Sequence, residues 1–390
     1  MADRFSSAIR GFGCLYEDFD EEFFSHIVRE YAVSLLSMII ERHHRRLMNE
    51  GDSILAMLEY PLTSDHSPFL SPHLAHCLNA LKSGNTAEAA GGLIQILLNL
   101  SCSGVPGNWK IELDEPRRFH WDYYLLPKAR SIAVRSDGRE ALVTLSHPDG
   151  EKTFTFTASD EIRGWRNSES ETIPYIVTRR ASVLLLTGAH LEQFDLLRPK
   201  FPALDEITPS HKENVVSCLT FLWERLPACS SWIERVLRYL CLVQESPGTM
   251  HSGSFEGYFG FLFMSDLPDP IKMAEMLIHE CSHQYFAILL RFTELTDEDG
   301  RLYYSPFVKK DRPADRILLA YHAFTNVELF YKECIRLGIS VPHCEKAIAQ
   351  LRPDLDYVER ALVSDIRFTP AGRCVIDSLL SRRTQYEFAD

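Results

Sequence analysis

The hydrophobic positions of this chain change period twice. From the N-terminus to about residue 104, apolar residues recur at helical spacing, as in Phe23, Ile27, Tyr31 and Leu35 and again from Ala90 to Leu100. Between these stretches the polar, proline- and serine-bearing run from Pro61 to Pro72 reads as a loop. From Trp109 to about His190 the pattern becomes alternation with β-branched residues, in Ser131–Arg135, Ala141–Leu145, Thr153–Thr157 and Ile173–Val177. Asp137-Gly138 and Asp149-Gly150 separate the first three runs as hairpin turns. After Phe201 helices return, expected over about 209–226 and 230–243, and the aromatic alternation of Ser254–Ser265 predicts a strand. Asp269-Pro270 then opens a helix to about Thr293: aspartate supplies the N-cap oxygen, and proline takes a first-turn position that needs no amide donor. Pro313 opens a helix ending near Gly338, and Pro342 and Thr369-Pro370 open two more. The expected class is α+β, mainly helical with a β-rich middle section. An N-terminal helical and β-rich region over 1–200 precedes a region over 201–390 whose Asp269-Pro270 helix carries His279-Glu280-Cys281-Ser282-His283, a zincin-like HExxH run from which a metal-binding catalytic domain is expected there and a candidate peptide-binding part before it.

Composition narrows this picture. At 390 residues and 45% apolar the chain can bury a substantial core in one or two domains. A formal charge of −13 argues against nucleic acid, since no Lys/Arg cluster outweighs it. Arg42-His-His-Arg-Arg46 is short, sits on a helical pattern and reads as a solvated face. The ten cysteines are scattered with no CxxC pair, and the N-terminus has no apolar signal core, so the expectation is reduced thiols in a cytoplasmic protein. The longest apolar stretch, around Tyr31–Ile40, is too short to span a bilayer, which sets membranes aside.

The chemistry lies in His279-Glu280-Cys281-Ser282-His283. Residues four apart share one helix face, so both imidazoles can reach one metal ion. Glu280 can act as a general base toward water or steady a ligand from behind. The motif sits in an apolar helix, where buried imidazoles need partners; hydrogen bonds alone are the plainer way to satisfy them. Two histidines seldom hold a metal by themselves. Glu294 and Glu298 follow in a polar segment, while His322 shares a helix face with Leu318, Leu319, Thr325 and Asn326 and so points inward. His322 is therefore the favoured third ligand. Glu328 would suit a protease-like ligand helix but points away from His322. The spacing by itself favours a zinc peptidase with Glu280 as base; iron on the same ligands would instead leave room for a co-substrate and O₂.

In order along the C-terminal stretch come Ser246-Pro-Gly248, the strand-like Phe255–Ser265, the HExxH motif and Leu302-Tyr-Tyr-Ser-Pro306-Phe307. Arg312-Pro313, Leu318–Phe324 with His322, and Thr369-Pro-Ala-Gly-Arg373 follow. Over about residues 240–385 this order resembles the bacterial HExxH-motif peptide-modification family found near ribosomally made peptide natural products. The resemblance implies an Fe(II)- and 2-oxoglutarate-dependent hydroxylase acting on β-carbons in a precursor peptide. On that reading His279, His283 and His322 hold the iron and Glu280 supports them. The distal carboxylate of 2-oxoglutarate needs a cation: Arg312 is the candidate, with Arg316 and Lys310 behind it. The β-rich section could hold a leader peptide by strand addition, or be purely structural. A zinc metallopeptidase is the first alternative; a non-catalytic peptide-binding protein with a structural metal is the second.

Overall fold

The computed structural model of the chain describes residues 2–42, 54, 56–58, 60, 69–147, 150–159, 164–168, 170–180, 182–194, 196, 199–244, 249–297 and 300–385. His43–Arg46 of the basic cluster, most of the Pro61–Pro72 run, Asp149, Ser246–Gly248 and Glu298 lie outside the described residues. Helices α1 (Ala2–Gly13), α2 (Glu21–Arg42), α3 (Pro72–Ser83) and α4 (Thr86–Cys102) come first. Then follow β1 (Gly107–Arg117), β2 (His120–Trp121), β3 (Tyr124–Leu125), β4 (Ala129–Ser136), β5 (Glu140–His147), β6 (Gly150–Ser159), β7 (Gly164–Arg166), β8 (Glu171–Thr172), β9 (Tyr175–Val177) and β10 (Ser182–Leu186). Next are α5 (Gly188–Gln193), α6 (Pro209–Arg225), α7 (Pro227–Val236), β11 (Tyr239–Val243), β12 (Ser252–Ser254) and β13 (Phe261–Ser265). The C-terminal part holds α8 (Pro270–Leu289), β14 (Leu302–Ser305), β15 (Lys310–Pro313), α9 (Ala314–Arg336), α10 (Val341–Ser364) and α11 (Pro370–Gln385). Among the described helices none is long and apolar enough to cross a membrane, and all ten cysteines are free thiols.

The chain divides into two compact units, both discontinuous in sequence. Residue 200, where the sequence places a boundary, lies inside the unit made of Ser25–Val216 and Glu234–Asp266. That unit carries an antiparallel sheet in the order β1-β4-β5-β6-β7 and a mixed sheet in the order β12-β13-β11-β10-β9. The β4–β5 hairpin forms where the sequence places it. The Asp137 carboxylate accepts from the Arg139 and Glu140 amides at 2.8 Å each, and Gly138 takes φ 91 with no room for a side chain, since a Cβ would lie 2.6 Å from the Gly104 carbonyl oxygen. Tyr239–Val243, expected to continue a helix, is instead a wholly buried strand paired in parallel with β10 and β13. An apolar run buried on both faces has no period to distinguish strand from helix. The strand expected over 254–265 is really two, β12 and β13, which pair antiparallel across a turn that includes Gly257 and Gly260 at positive φ.

The other unit comprises Met1–Phe24, Ser217–Ile233 and Leu267–Asp390. It is helical, with β14 and β15 pairing as a hairpin. Its helices α8, α9 and α10 pack in succession, and α1 and α9 both pack against α11. Tyr285 of α8 anchors the core: its ring meets Phe12, Phe19, Phe24 and Trp232 within 6 Å, and its hydroxyl donates to the Trp232 carbonyl at 2.8 Å. Such rings bury large apolar areas in preferred edge-on geometry.

Candidate metal centre

Helix α8 starts as its sequence requires. The Asp269 side chain accepts from the Ile271 amide at 3.0 Å and the Lys272 amide at 3.4 Å, with Pro270 in the first turn. From Ile271 onward every position is buried except Lys272, Glu275, His279, His283 and Ala287, and the half-buried Leu290 extends the series. These residues are three or four apart, so they form one stripe along an otherwise enclosed helix. Both motif histidines lie on it.

The two rings stand nearly perpendicular, with Nε2 of His279 and Nε2 of His283 3.1 Å apart. Ligand nitrogens about 2.1 Å from one ion lie roughly 3.0–3.4 Å apart in octahedral or tetrahedral geometry, so the pair fits a shared cation. It equally fits one Nε2–H donating to the other nitrogen. Burial lowers the His279 pKa to about 4 and holds His283 well below the usual histidine range, helped by His279, His322 and the Arg316 guanidinium. Both rings are therefore neutral at pH 7, the state a metal requires of an imidazole.

His322 lies on α9 with no exposed surface, its ring 5.6 Å from Phe286 and 6.5 Å from Trp232. Its Nε2 is 3.1 Å from the Phe12 carbonyl oxygen. A carbonyl only accepts, so Nε2 carries the hydrogen. Burial lowers this ring's pKa to about 4, which leaves Nδ1 a bare lone pair, buried and without a hydrogen-bond partner. That arrangement, one ring nitrogen tied to a backbone carbonyl and the other open, is the one metal-ligating histidines adopt. Among the described residues, however, no three His, Cys, Asp or Glu side chains are set to hold a metal between them. The histidine pair fits an ion; the third donor is tautomerically ready but is not brought into one cluster with them.

The remaining sequence candidates fall elsewhere. Glu280 is 4% exposed, off the open stripe. Glu294 lines a separate cavity. Glu328 is wholly buried and engaged by Arg383 and Lys332. Arg312, on β15, is half-buried with its Nε enclosed and lacking a hydrogen-bond partner, and Lys310 is exposed. The cation that acts on His283 is Arg316, in the first turn of α9 and 3.5 Å from the Asp315 carboxylate. The sequence also leaves unmarked an aromatic wall: the Phe324 ring lies 4.6 Å from His279, and Phe307 stacks on Phe324 at 4.1 Å. The signal was present, because Phe324 is two residues from His322 and Phe307 caps the β14–β15 turn, but two isolated aromatics do not disclose that they meet. Comparison with protein-family models and with curated proteins returns no match.

Proposed function

We propose that the chain is an Fe(II)- and 2-oxoglutarate-dependent hydroxylase acting on side-chain β-carbons of a ribosomally made precursor peptide. The observation that carries the reading is the 3.1 Å approach of two neutral imidazole nitrogens on the only open stripe of α8. His279 and His283 would hold the iron; His322, which does not form one cluster with them here, would have to bring Nδ1 toward the pair to serve as third donor. When bound, the iron supplies O₂ activation coupled to 2-oxoglutarate, converting a peptide C–H to C–OH with succinate and CO₂ as co-products.

The chain's own groups do the rest. The Phe12 carbonyl fixes the His322 tautomer that leaves Nδ1 able to bind a cation. Arg312 is the candidate for the distal carboxylate of 2-oxoglutarate, with Arg316, whose charge helps to lower the His283 pKa, as the second position. Phe324 and Phe307 shield one side of His279 from water. A zinc peptidase is the second reading, favoured by the HExxH spacing. The burial of Glu280 away from the open stripe weighs against it, because a general base must reach the attacking water.

The test is anaerobic reconstitution with Fe(II) and titration with 2-oxoglutarate, following the weak visible charge-transfer band of the chelate. The band should vanish in His279→Ala and His283→Ala and weaken in Arg312→Ala; weakening in Arg316→Ala instead would assign the carboxylate to Arg316. With peptide and O₂, succinate forms and the peptide gains about 16 mass units, one oxygen atom. No band, with zinc tightly retained and peptide cleaved, would replace this reading with the peptidase.

A further inference from the structure

The open stripe of α8 leads somewhere. Beyond His283 it continues through the small side chain of Ala287 to Leu290, and Leu290 is part of the wall of a cavity of about 320 Å³. That volume lies at the lower end of the range for ligand pockets. Leu295 and Ala314 add apolar wall, and Glu294, Asp297 and Asp315 bring three carboxylates. Arg316 lies 3.5 Å from the Asp315 carboxylate, and Arg301 in the lining donates to the Asp365 carbonyl oxygen at 3.1 Å and lies over the Tyr303 ring, so Glu294 and Asp297, two carboxylates against one cation, give the cavity its acidity.

We propose that this cavity is a subsite for a lysine or arginine side chain of the peptide substrate. The proposal takes the peptide from the hydroxylase reading and adds what the peptide must carry. An apolar wall with carboxylates suits a methylene stem ending in a cation, which keeps its stem on apolar surface and its head among oxygens. Its place along the chain follows from helix geometry. His283 and Leu290 are seven residues apart, about 10 Å along a helix on nearly the same face. An extended peptide advances about 3.3 Å per residue, so the basic residue sits about three positions from the one modified.

The experiment measures binding of two labelled peptides to the full-length protein by fluorescence anisotropy. Both are extended serine/leucine decapeptides with one central lysine, which in the second is acetylated; acetylation removes the charge and keeps the stem. The free-lysine peptide should bind about tenfold tighter, a difference of about 1.4 kcal/mol. Glu294→Lys with Asp297→Lys, both at exposed positions, should abolish that preference. Glu345→Lys with Glu151→Lys makes the same change in net charge outside the cavity and should leave the preference intact. Equal binding of the two peptides by the unmodified protein overturns the subsite, as does a preference that survives the Glu294/Asp297 change or is lost equally in the control. The iron-chelate band reads the other claim separately: a lysine preference without a band leaves the subsite standing and removes the hydroxylase, and a band without the preference does the reverse.

Discussion

Glu328 and Arg383 form the most enclosed charge pair among the described residues of the helical unit. Arg383 Nε donates to Glu328 Oε2 at 2.7 Å, Lys332 Nζ lies 3.3 Å from Oε1, and the glutamate has no exposed surface. Arg383 also reaches Asp356 and Glu359 on α10, so one guanidinium ties α9, α10 and α11 together. Removing one member of such a cluster leaves the other charge buried. Arg383→Met should therefore cost about 3–5 kcal/mol in urea unfolding; an unchanged midpoint would show that the pair is not buried as described. Glu280 poses a different question. If it only packs behind the histidines, Glu280→Gln keeps the iron-chelate band and leaves hydroxylation within about tenfold, whereas a general base would cost about 10²–10⁴ in rate. Measuring both in one preparation separates a positioning role from a catalytic one.

At the scale of elements, α8 is held by its cap and its buried faces rather than by its open stripe. Asp269→Ala removes the cap that receives two amides and should cost about 1 kcal/mol in thermal or chemical unfolding. Ala287→Leu adds bulk where the stripe is half-open. It should change stability by less than about 0.5 kcal/mol while weakening the free-lysine peptide, because it narrows the route from His283 to the acidic cavity. Loss of stability with unchanged peptide binding would contradict that placement. The β4–β5 turn is a second local test. A Cβ at residue 138 meets both a positive φ and the Gly104 carbonyl, so Gly138→Ala should destabilise by more than about 1 kcal/mol.

Across the whole molecule the buried histidines should make stability depend on pH. In the sheet-bearing unit His120 donates from Nδ1 to the Asp122 carbonyl oxygen at 2.7 Å, with the Tyr239 hydroxyl 3.3 Å from Nε2. Burial lowers its pKa to about 4 and pushes that of His73 well below the usual value. The folded pKa lies below the unfolded one, so this stabilisation is complete above about pH 6.5 and is lost as pH falls toward 4, about 3 kcal/mol for His120 alone. In the helical unit His279, His283 and His322 shift in the same direction. Thermal midpoints should hold between pH 7.5 and about 6.5 and then fall down to pH 4.5; a profile flat over the whole range would mean that these rings are hydrated.

How much of this could be read from the chain alone depends on the range of the interaction. The Asp269-Pro270 and Thr369-Pro370 helix starts, the Asp137-Gly138 turn and the shared face of His279 and His283 rest on residues within four positions of one another, and the sequence determined them. The tertiary structure decided what distant partners decide. Tyr239–Val243 became a strand because β10 and β13 flank it. His322 presents Nδ1 because the Phe12 carbonyl, 310 residues away, takes Nε2. Glu328 went to Arg383 because helix packing and not spacing sets which charges meet. The acidic cavity was illegible for the same reason: its walls come from the end of α8, the loop beyond it and the start of α9, and no local pattern announces that they converge.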